Sequence, residues 1–263
     1  MSGAPFPPRR IVCLTEETVE TLYLLGEQDR IVGISGYTVR PPQARREKPR
    51  VSAFNSANIE KIVALEPDLV LTFSDIQAGI VADLIRRGIA VHAFNQRTLA
   101  EILSMIRTLG ALVGADARAE TLAASLEQRI AAAREARPPR RPKIFFEEWD
   151  GPLISGIGWV SELIEAAGGV DVFSELAAGR AAKDRVVAPA DVVARAPDII
   201  IGSWCGKKFC PEKVAARPGF DAVPAVRAGA LHEIKSSLIL QPGPAALTDG
   251  LDTLRRIIAA WAG

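Results

Sequence analysis

Two cysteines with four residues between them, Cys205 and Cys210, follow an apolar run and read first as two thiols in a loop after a strand. That spacing could close a small disulfide loop or supply two ligands to a metal, but no second pair is present to complete a tetrahedral site. Cys13 falls at the end of an apolar run and reads as a buried strand residue. Glu147 and Glu148 stand side by side with Asp150 just beyond. Paired carboxylates can share acid–base work or meet a cation, yet no base, metal or cofactor partner for them can be named from the sequence. His92 and His232 each sit in a strand-like run, where a half-buried structural histidine is expected. No Gly-x-Ser-x-Gly, no P-loop and no Gly-x-Gly-x-x-Gly opens a helix after a strand. Gly156-Ile157-Gly158 lacks the third glycine and reads as a tight turn. The expectation is therefore a protein that is not an enzyme, with no catalytic residues, no metal site and no intrinsic cofactor.

Aromatic residues make up only 6% of the chain, so their places are informative. Tyr37 and Phe54 lie in the connection after the second apolar run. Trp149 and Trp159 flank the stretch from Asp150 to Gly158, and Trp204 directly follows a run ending at Gly202. In open α/β sheets the loops beyond the carboxyl ends of the strands form the ligand crevice. Large aromatics on such loops suit a bulky organic ligand held by stacking and apolar contact. Trp159 begins a helical pattern and Trp261 lies near the C-terminus, so both also suit packing.

The elements that position these residues alternate short β-branched runs with helical patterns, which argues for α/β units with parallel sheets. Strands are expected at Arg10 to Leu14, Ile31 to Ile34, Leu69 to Phe73 and Ile89 to Phe94, and again at Lys143 to Glu147, Ile199 to Gly202 and Leu231 to Ile234. Helices are expected at Glu16 to Leu25, Ile59 to Leu65 behind an Asn58 cap, Ile80 to Arg87 and Leu99 to Val113. Others follow at Val160 to Ala167, Ala190 to Arg195 and Ala245 to Trp261. Ser35 to Asn55 reads as one long connection, a length more often functional than idle. Ala117 to Arg137 repeats Leu122, Leu126 and Ile130 every four residues, which predicts a helix of about 30 Å. The expected fold is α/β: two lobes with central, mostly parallel sheets joined by one long helix. Residues 1–114 would form the N-terminal lobe, 115–140 the connecting helix and 141–263 the C-terminal lobe.

An internal repeat supports that division. The segment from Ile59 to Leu71 is matched 130 positions later by Pro189 to Ile201, each reading helix, Pro-Asp turn and apolar strand. Lysine plus arginine numbers 32 and aspartate plus glutamate 31, for a net charge of +1, which gives no electrostatic case for nucleic acid or an anionic membrane. No run of eighteen apolar residues occurs, so no membrane insertion is expected. The stretch Met1 to Arg10 is polar and proline-rich, and Ile11 to Leu14 is too short for the core of a signal peptide. As written the chain reads as cytoplasmic; it would be periplasmic if a signal had been removed.

Several of these pieces together resemble the class III periplasmic substrate-binding proteins of ABC importers, the cluster that handles cobalamin, ferric siderophores and haem. The carriers are Gly33-Ile34-Ser35-Gly36-Tyr37 with Pro41-Pro42, and Asn58-Ile59-Glu60-Lys61-Ile62 through Pro67-Asp68-Leu69-Val70. Ser155-Gly156 leading to Glu162 through Gly169, and Gln241-Pro242-Gly243-Pro244, add to them. The look is that of the cobalamin-binding type. The resemblance implies a monomer of two lobes bridged by one helix, with a ligand cleft between the lobes, and a corrinoid as the bound ligand. It implies Tyr37 as a cleft tyrosine and Phe54 where cobalamin binders often carry tryptophan. Lys183-Asp184-Arg185 stands where a further tryptophan would be expected, and Trp204 is the aromatic that could compensate. The candidate ligand contacts are thus Tyr37, Phe54, Trp149, Trp159, Trp204, Asp184 and Arg185. Glu60 matches a glutamate that pairs with permease arginines; the repeat puts Ala190 at the second such position, with Asp191 one residue along. The resemblance implies delivery to an ABC importer, whereas the missing second glutamate leaves room for a binder that no longer docks and handles a corrinoid inside the cell. The alternative ligand is a ferric siderophore or haem, for which Lys183, Arg185, Lys207, Lys208 and Lys235 would supply positive charge.

Overall fold

A computed structural model describes residues 6–263, so the reading of Met1 to Pro5 lies outside the described residues. The chain divides into two compact units. One comprises the chain through Gln96 with Ala100–Ser125, and the other Arg97–Leu99 with Leu126–Gly263.

The first unit is built on β1 (Ile11–Cys13), α1 (Glu16–Leu24), β2 (Ile31–Ser35), α2 (Ala44–Glu47), β3 (Arg50–Ser52), α3 (Ile59–Ala64), β4 (Leu69–Phe73), α4 (Ala78–Arg86) and β5 (Val91–Phe94). The five strands are all parallel, in the order β3-β2-β1-β4-β5. β1 and β4 are buried along their whole length, as expected of inner strands covered on both faces. Val12, Leu14, Ile62, Val70 and Leu84 belong to the core beneath them. Asn58 caps α3 as expected, its side chain accepting from the Lys61 N–H at 2.9 Å. Two further helices follow, α5 (Leu99–Val113) and α6 (Asp116–Glu135). Gly110 has no room for a Cβ, which would overlap the Ala119 side chain, so glycine is what lets these helices approach there. The division between the units falls inside α6, after Ser125.

The second unit contains β6 (Lys143–Asp150), β7 (Leu153–Ser155), α7 (Gly158–Ala167), β8 (Val170–Asp171), α8 (Pro189–Arg195), β9 (Ile199–Gly202), α9 (Pro211–Ala215), α10 (Pro224–Arg227), β10 (Leu231–Glu233), α11 (Ser236–Ile239) and α12 (Leu251–Ala262). Its sheet runs β10-β9-β6-β7, with β8 also paired to β6. Only the β6–β7 pairing is antiparallel. The core gathers Phe145, Phe173, Ile200, Trp204, Phe209 and Phe220. Among the described residues no helix is long and apolar enough to cross a membrane.

The repeat is structural as well as sequential. Asp68 accepts from the backbone N–H groups of Arg9 and Arg10 at 2.7 and 2.9 Å, just ahead of β1, and Asp198 accepts from Lys143 N–H at 2.8 Å, at the start of β6. Each Pro-Asp turn thus fastens its own strand to the neighbour on which the sheet is centred.

Several sequence expectations are corrected. The connection from Ser35 to Asn55 holds α2 and β3, and the stretch after Asp150 holds β7, which turns back on β6 as a hairpin. β8, α9, α10 and α11 were not foreseen; elements of two to five residues are too short to show a hydrophobic period. The final helix does not run regularly from Ala245: Ala246–Gly250 forms one wide π turn before α12. Gly250 lies against the Leu238 carbonyl, where no Cβ fits.

Candidate functional site

At the carboxyl end of the first unit's sheet, Tyr37 follows β2 on a short, tightly held turn. Gly36 N–H donates to Ser52 O at 2.7 Å and Thr38 N–H to Ser35 O at 3.1 Å. Tyr37 N–H reaches Ser35 Oγ at 3.3 Å. Thr38 is fully buried while Tyr37 is 59% exposed, so a fixed backbone holds an aromatic ring in solvent. Beyond the turn, Val39 N–H donates to Glu16 Oε2 at 3.3 Å and Arg40 Nε donates to Glu20 Oε1 at 2.9 Å.

Phe54, beyond β3, is half-buried. Its carbonyl accepts from Gln77 Nε2 at 2.8 Å, and the same nitrogen reaches Leu14 O at 3.3 Å. Gln77 Oε1 accepts from Phe73 N–H at 3.0 Å. One fully buried amide therefore ties the ends of β1 and β4 to the loop carrying Phe54. Ser74, between β4 and this glutamine, has φ of 58° and ψ of 179°, a conformation that only glycine adopts easily. Burial also raises the acids at the start of α1: Glu16 is pushed up to about 8 and Glu17 to about 7. Glu17 accepts from Thr15 Oγ1 at 2.6 Å.

In the second unit the three acids at the end of β6 are each matched by a cation. Glu147, fully buried, takes two hydrogen bonds from Arg217, at 2.6 and 2.7 Å, and one from Trp204 Nε1 at 2.9 Å. Glu148 accepts from Arg185 at 2.6 and 3.3 Å. Asp150 pairs with Lys207, whose ammonium also lies 4.0 Å from the Trp149 ring centroid and 5.4 Å from that of Trp204.

The aromatic candidates of this unit separate by exposure. Trp149 is half-buried at the hairpin, with its Nε1 donating to Gly151 O at 3.1 Å. Trp204 is buried, edge-on to Phe209 with centroids 5.0 Å apart. Phe209 in turn lies over Gly202, where a Cβ would overlap its ring. Trp159 is buried in α7 and donates to Ile239 O at 2.8 Å. Asp184 is exposed and accepts from Ala181 N–H at 3.1 Å. Arg185 points inward, almost wholly buried, and besides Glu148 it bonds to Ser155 O.

His92 and His232 are half-buried strand residues whose basicity is lowered by burial. Cys13 is buried and its thiol pushed up to about 12; Cys205 is exposed and Cys210 half-buried. Glu60 lies exposed on α3 and is clasped by Arg87 at 2.5 and 3.4 Å; Asp191 is exposed on α8. Among the described residues, no group of three or more acidic, histidine or cysteine side chains could hold a metal ion. Glu16, Glu20, Gln77, Phe209 and Arg217 were not singled out from the sequence. Glu16 could have been, because it lies three residues before Val19 and so next to it on the face that α1 buries.

Comparison with known proteins bears on the family and the fold. A family model described as periplasmic binding protein matches residues 11–238. A cobalamin-binding protein of Halobacterium salinarum is 30% identical over 174 residues, which is 64% of this chain and 47% of that protein. The chain thus spans about half the length of that relative. The crystal structure of a periplasmic vitamin B12-binding protein of Vibrio cholerae superimposes with a TM-score of 0.75 at 25% identity, over 98% of this chain and 99% of that one. A periplasmic haem-binding protein from a Roseiflexus species shares the fold, with a TM-score of 0.81 at 24% identity, over 95% of this chain and 99% of the other. Sheet order, repeat and family match coincide, and the chain belongs to the periplasmic binding protein family.

Proposed function

We propose that this is a non-catalytic binding protein whose ligand is a corrinoid of the cobalamin kind, delivered to an ABC importer. The observation that carries the reading is Tyr37: a 59% exposed aromatic ring, at the carboxyl end of a parallel strand, on a backbone pinned from both sides. A ring held this way meets a large flat ligand without first having to be ordered. Phe54, Trp149 and Asp184 are the further proposed contacts. Trp159, Trp204 and Arg185, being buried, would hold the loops that present them. The names of the halobacterial and Vibrio relatives point the same way.

A ferric siderophore is the less favoured ligand. Such complexes are often anionic and call for cations facing the ligand. Of the cations that could serve, Arg185 is buried against Glu148 and Lys207 is paired with Asp150, which leaves Lys183, Lys208 and Lys235 exposed. A corrinoid with amide side chains needs polar partners rather than a positive field. Glu60 and Asp191 are the proposed docking residues for a permease. Delivery to an importer would put the protein outside the cytoplasmic membrane, whereas corrinoid handling would keep it inside, and cell fractionation separates the two.

The test is a titration of the purified protein with cobalamin, following tryptophan fluorescence and co-elution of the coloured ligand on gel filtration. One-to-one binding is the expected result. Absence of binding at tens of micromolar overturns the corrinoid reading, and haem and ferric siderophores become the ligands to titrate next.

A further inference from the structure

Glu16, Glu20 and Tyr23 follow one another at helical spacing and share one face of α1. Glu16 and Glu20 hold the chain just beyond Tyr37, and Tyr23 holds it farther on, at the end of α2. Glu16 accepts from the Val39 N–H at 3.3 Å, Glu20 from Arg40 Nε at 2.9 Å, and the Tyr23 hydroxyl donates to Glu47 at 2.6 Å. The two carboxylates are buried, 4% and 8% exposed, so neither is an incidental surface pairing. Upstream, the turn is pinned to β2 and β3 through Ser35 and Ser52. The exposed ring thus sits between two fastened ends, one of them fastened to a helix by buried acids.

We infer that Glu16 and Glu20 are positioning residues for Tyr37, setting how firmly this ring is presented to the ligand without touching the ligand themselves. The inference rests on the corrinoid reading for its affinity measurements and on the fold alone for its spectroscopic one. An aromatic contact that is already immobile loses less freedom on binding, so loosening its backbone weakens affinity through ordering cost rather than through a lost contact. The clasp also has a titratable member. Burial pushes Glu16 up to about 8, with Glu20 and Glu17 on the same helix raising it further, while the Val39 amide and the Arg40 charge pull it down. Cys13 on β1, pushed up to about 12, keeps its proton throughout that range. When Glu16 ionises, the Val39 bond becomes charge-assisted and shortens, so the amide must report the change.

Two measurements test the inference. Glu20→Ala and the volume-preserving Glu20→Gln are each made alone and combined with Tyr37→Ala, and cobalamin affinity is determined for all. Loss of a hydrogen-bonded charge predicts that Glu20→Ala weakens binding about tenfold when Tyr37 is present. With Tyr37→Ala already in place the further loss should be less than about twofold. Equal losses in the two backgrounds overturn the positioning role, and Glu20→Gln carries the cycle if Glu20→Ala does not fold. The second measurement follows the Val39 amide by nitrogen-15 NMR from pH 4 to 10. A titration near pH 8 that vanishes in Glu16→Gln is expected, and an amide that follows no carboxylate overturns the clasp. Should cobalamin fail to bind while Val39 still titrates with Glu16, the corrinoid reading falls and the clasp stands.

Discussion

Glu66 and Ala196, 130 positions apart, take the same left-handed backbone, with φ of 45° and 47°. Each closes a short helix, each precedes a Pro-Asp pair, and each aspartate then fastens the start of a neighbouring strand. Neither residue is glycine, although the conformation costs a side chain about 1 to 2 kcal/mol. Ala196→Gly should therefore raise stability, by roughly 0.5 to 1 kcal/mol after the extra freedom glycine gains in the unfolded chain. Urea denaturation measures it, and an unchanged or lower midpoint would count against strain at this turn.

The Glu147–Arg217 pair is a second point of leverage. Glu147 is fully buried and its carboxylate is held by Arg217 and Trp204. Arg217→Met would leave that carboxylate without its counter-charge, which costs about 3 to 5 kcal/mol. The joint change Glu147→Leu/Arg217→Met should cost markedly less, because no buried charge is then stranded. Denaturation followed by tryptophan fluorescence compares the two, and a double variant as unstable as the single one would refute the assignment.

A third prediction concerns glycine. A Cβ at position 202 would overlap the Phe209 ring, so Gly202→Ala must displace an aromatic that also packs on Trp204. A loss of about 1 to 3 kcal/mol is expected. In a Phe209→Ala background the same substitution should cost much less, since the obstacle is gone. Additive losses would show that the ring is not what restricts the site.

The acids of α1 give stability a pH dependence whose sign can be worked out. Glu16 and Glu17 sit near 8 and 7 in the folded protein against 4.5 when exposed, so between about pH 4.5 and 8 the folded state holds more protons. Stability then falls as pH rises through that window, by at most about 1.4 kcal/mol per pH unit for each proton. His92 and His232, lowered by burial, act in the opposite sense below their ordinary 6.5. Comparing wild type with Glu16→Gln isolates the carboxylate: the difference in stability between pH 5 and pH 8 should shrink. A variant with an unaltered pH profile would sink this account.

Much of the frame was legible in the residues. Leu69–Phe73 and Leu99–Val113 were read to the residue, because long apolar periods and a Pro-Asp turn leave little choice of boundary. β7 was hidden since Gly151-Pro152 looks like any loop, and only its pairing with β6 makes Leu153–Ser155 a strand. The aromatic types were informative but their exposures were not. Trp159 was already set apart by its place at the start of a helical pattern, and it is buried in α7. The half-exposure of Trp149 and the burial of Trp204 depend on contacts that the fold alone supplies. Arg185 was read as a ligand contact; which way an arginine turns depends on acids that the fold alone brings near, here Glu148.

The end of β6 has a further meaning for how a ligand arrives. Glu147, Glu148 and Asp150 are matched one to one by Arg217, Arg185 and Lys207, so this strand end projects almost no net field into solvent. Long-range attraction draws charged molecules toward charged surfaces and fades as salt is added. A strand end neutral by internal pairing does neither. For the ligand proposed above, capture at this strand end would rest on diffusion and shape, at a rate expected to change little with ionic strength.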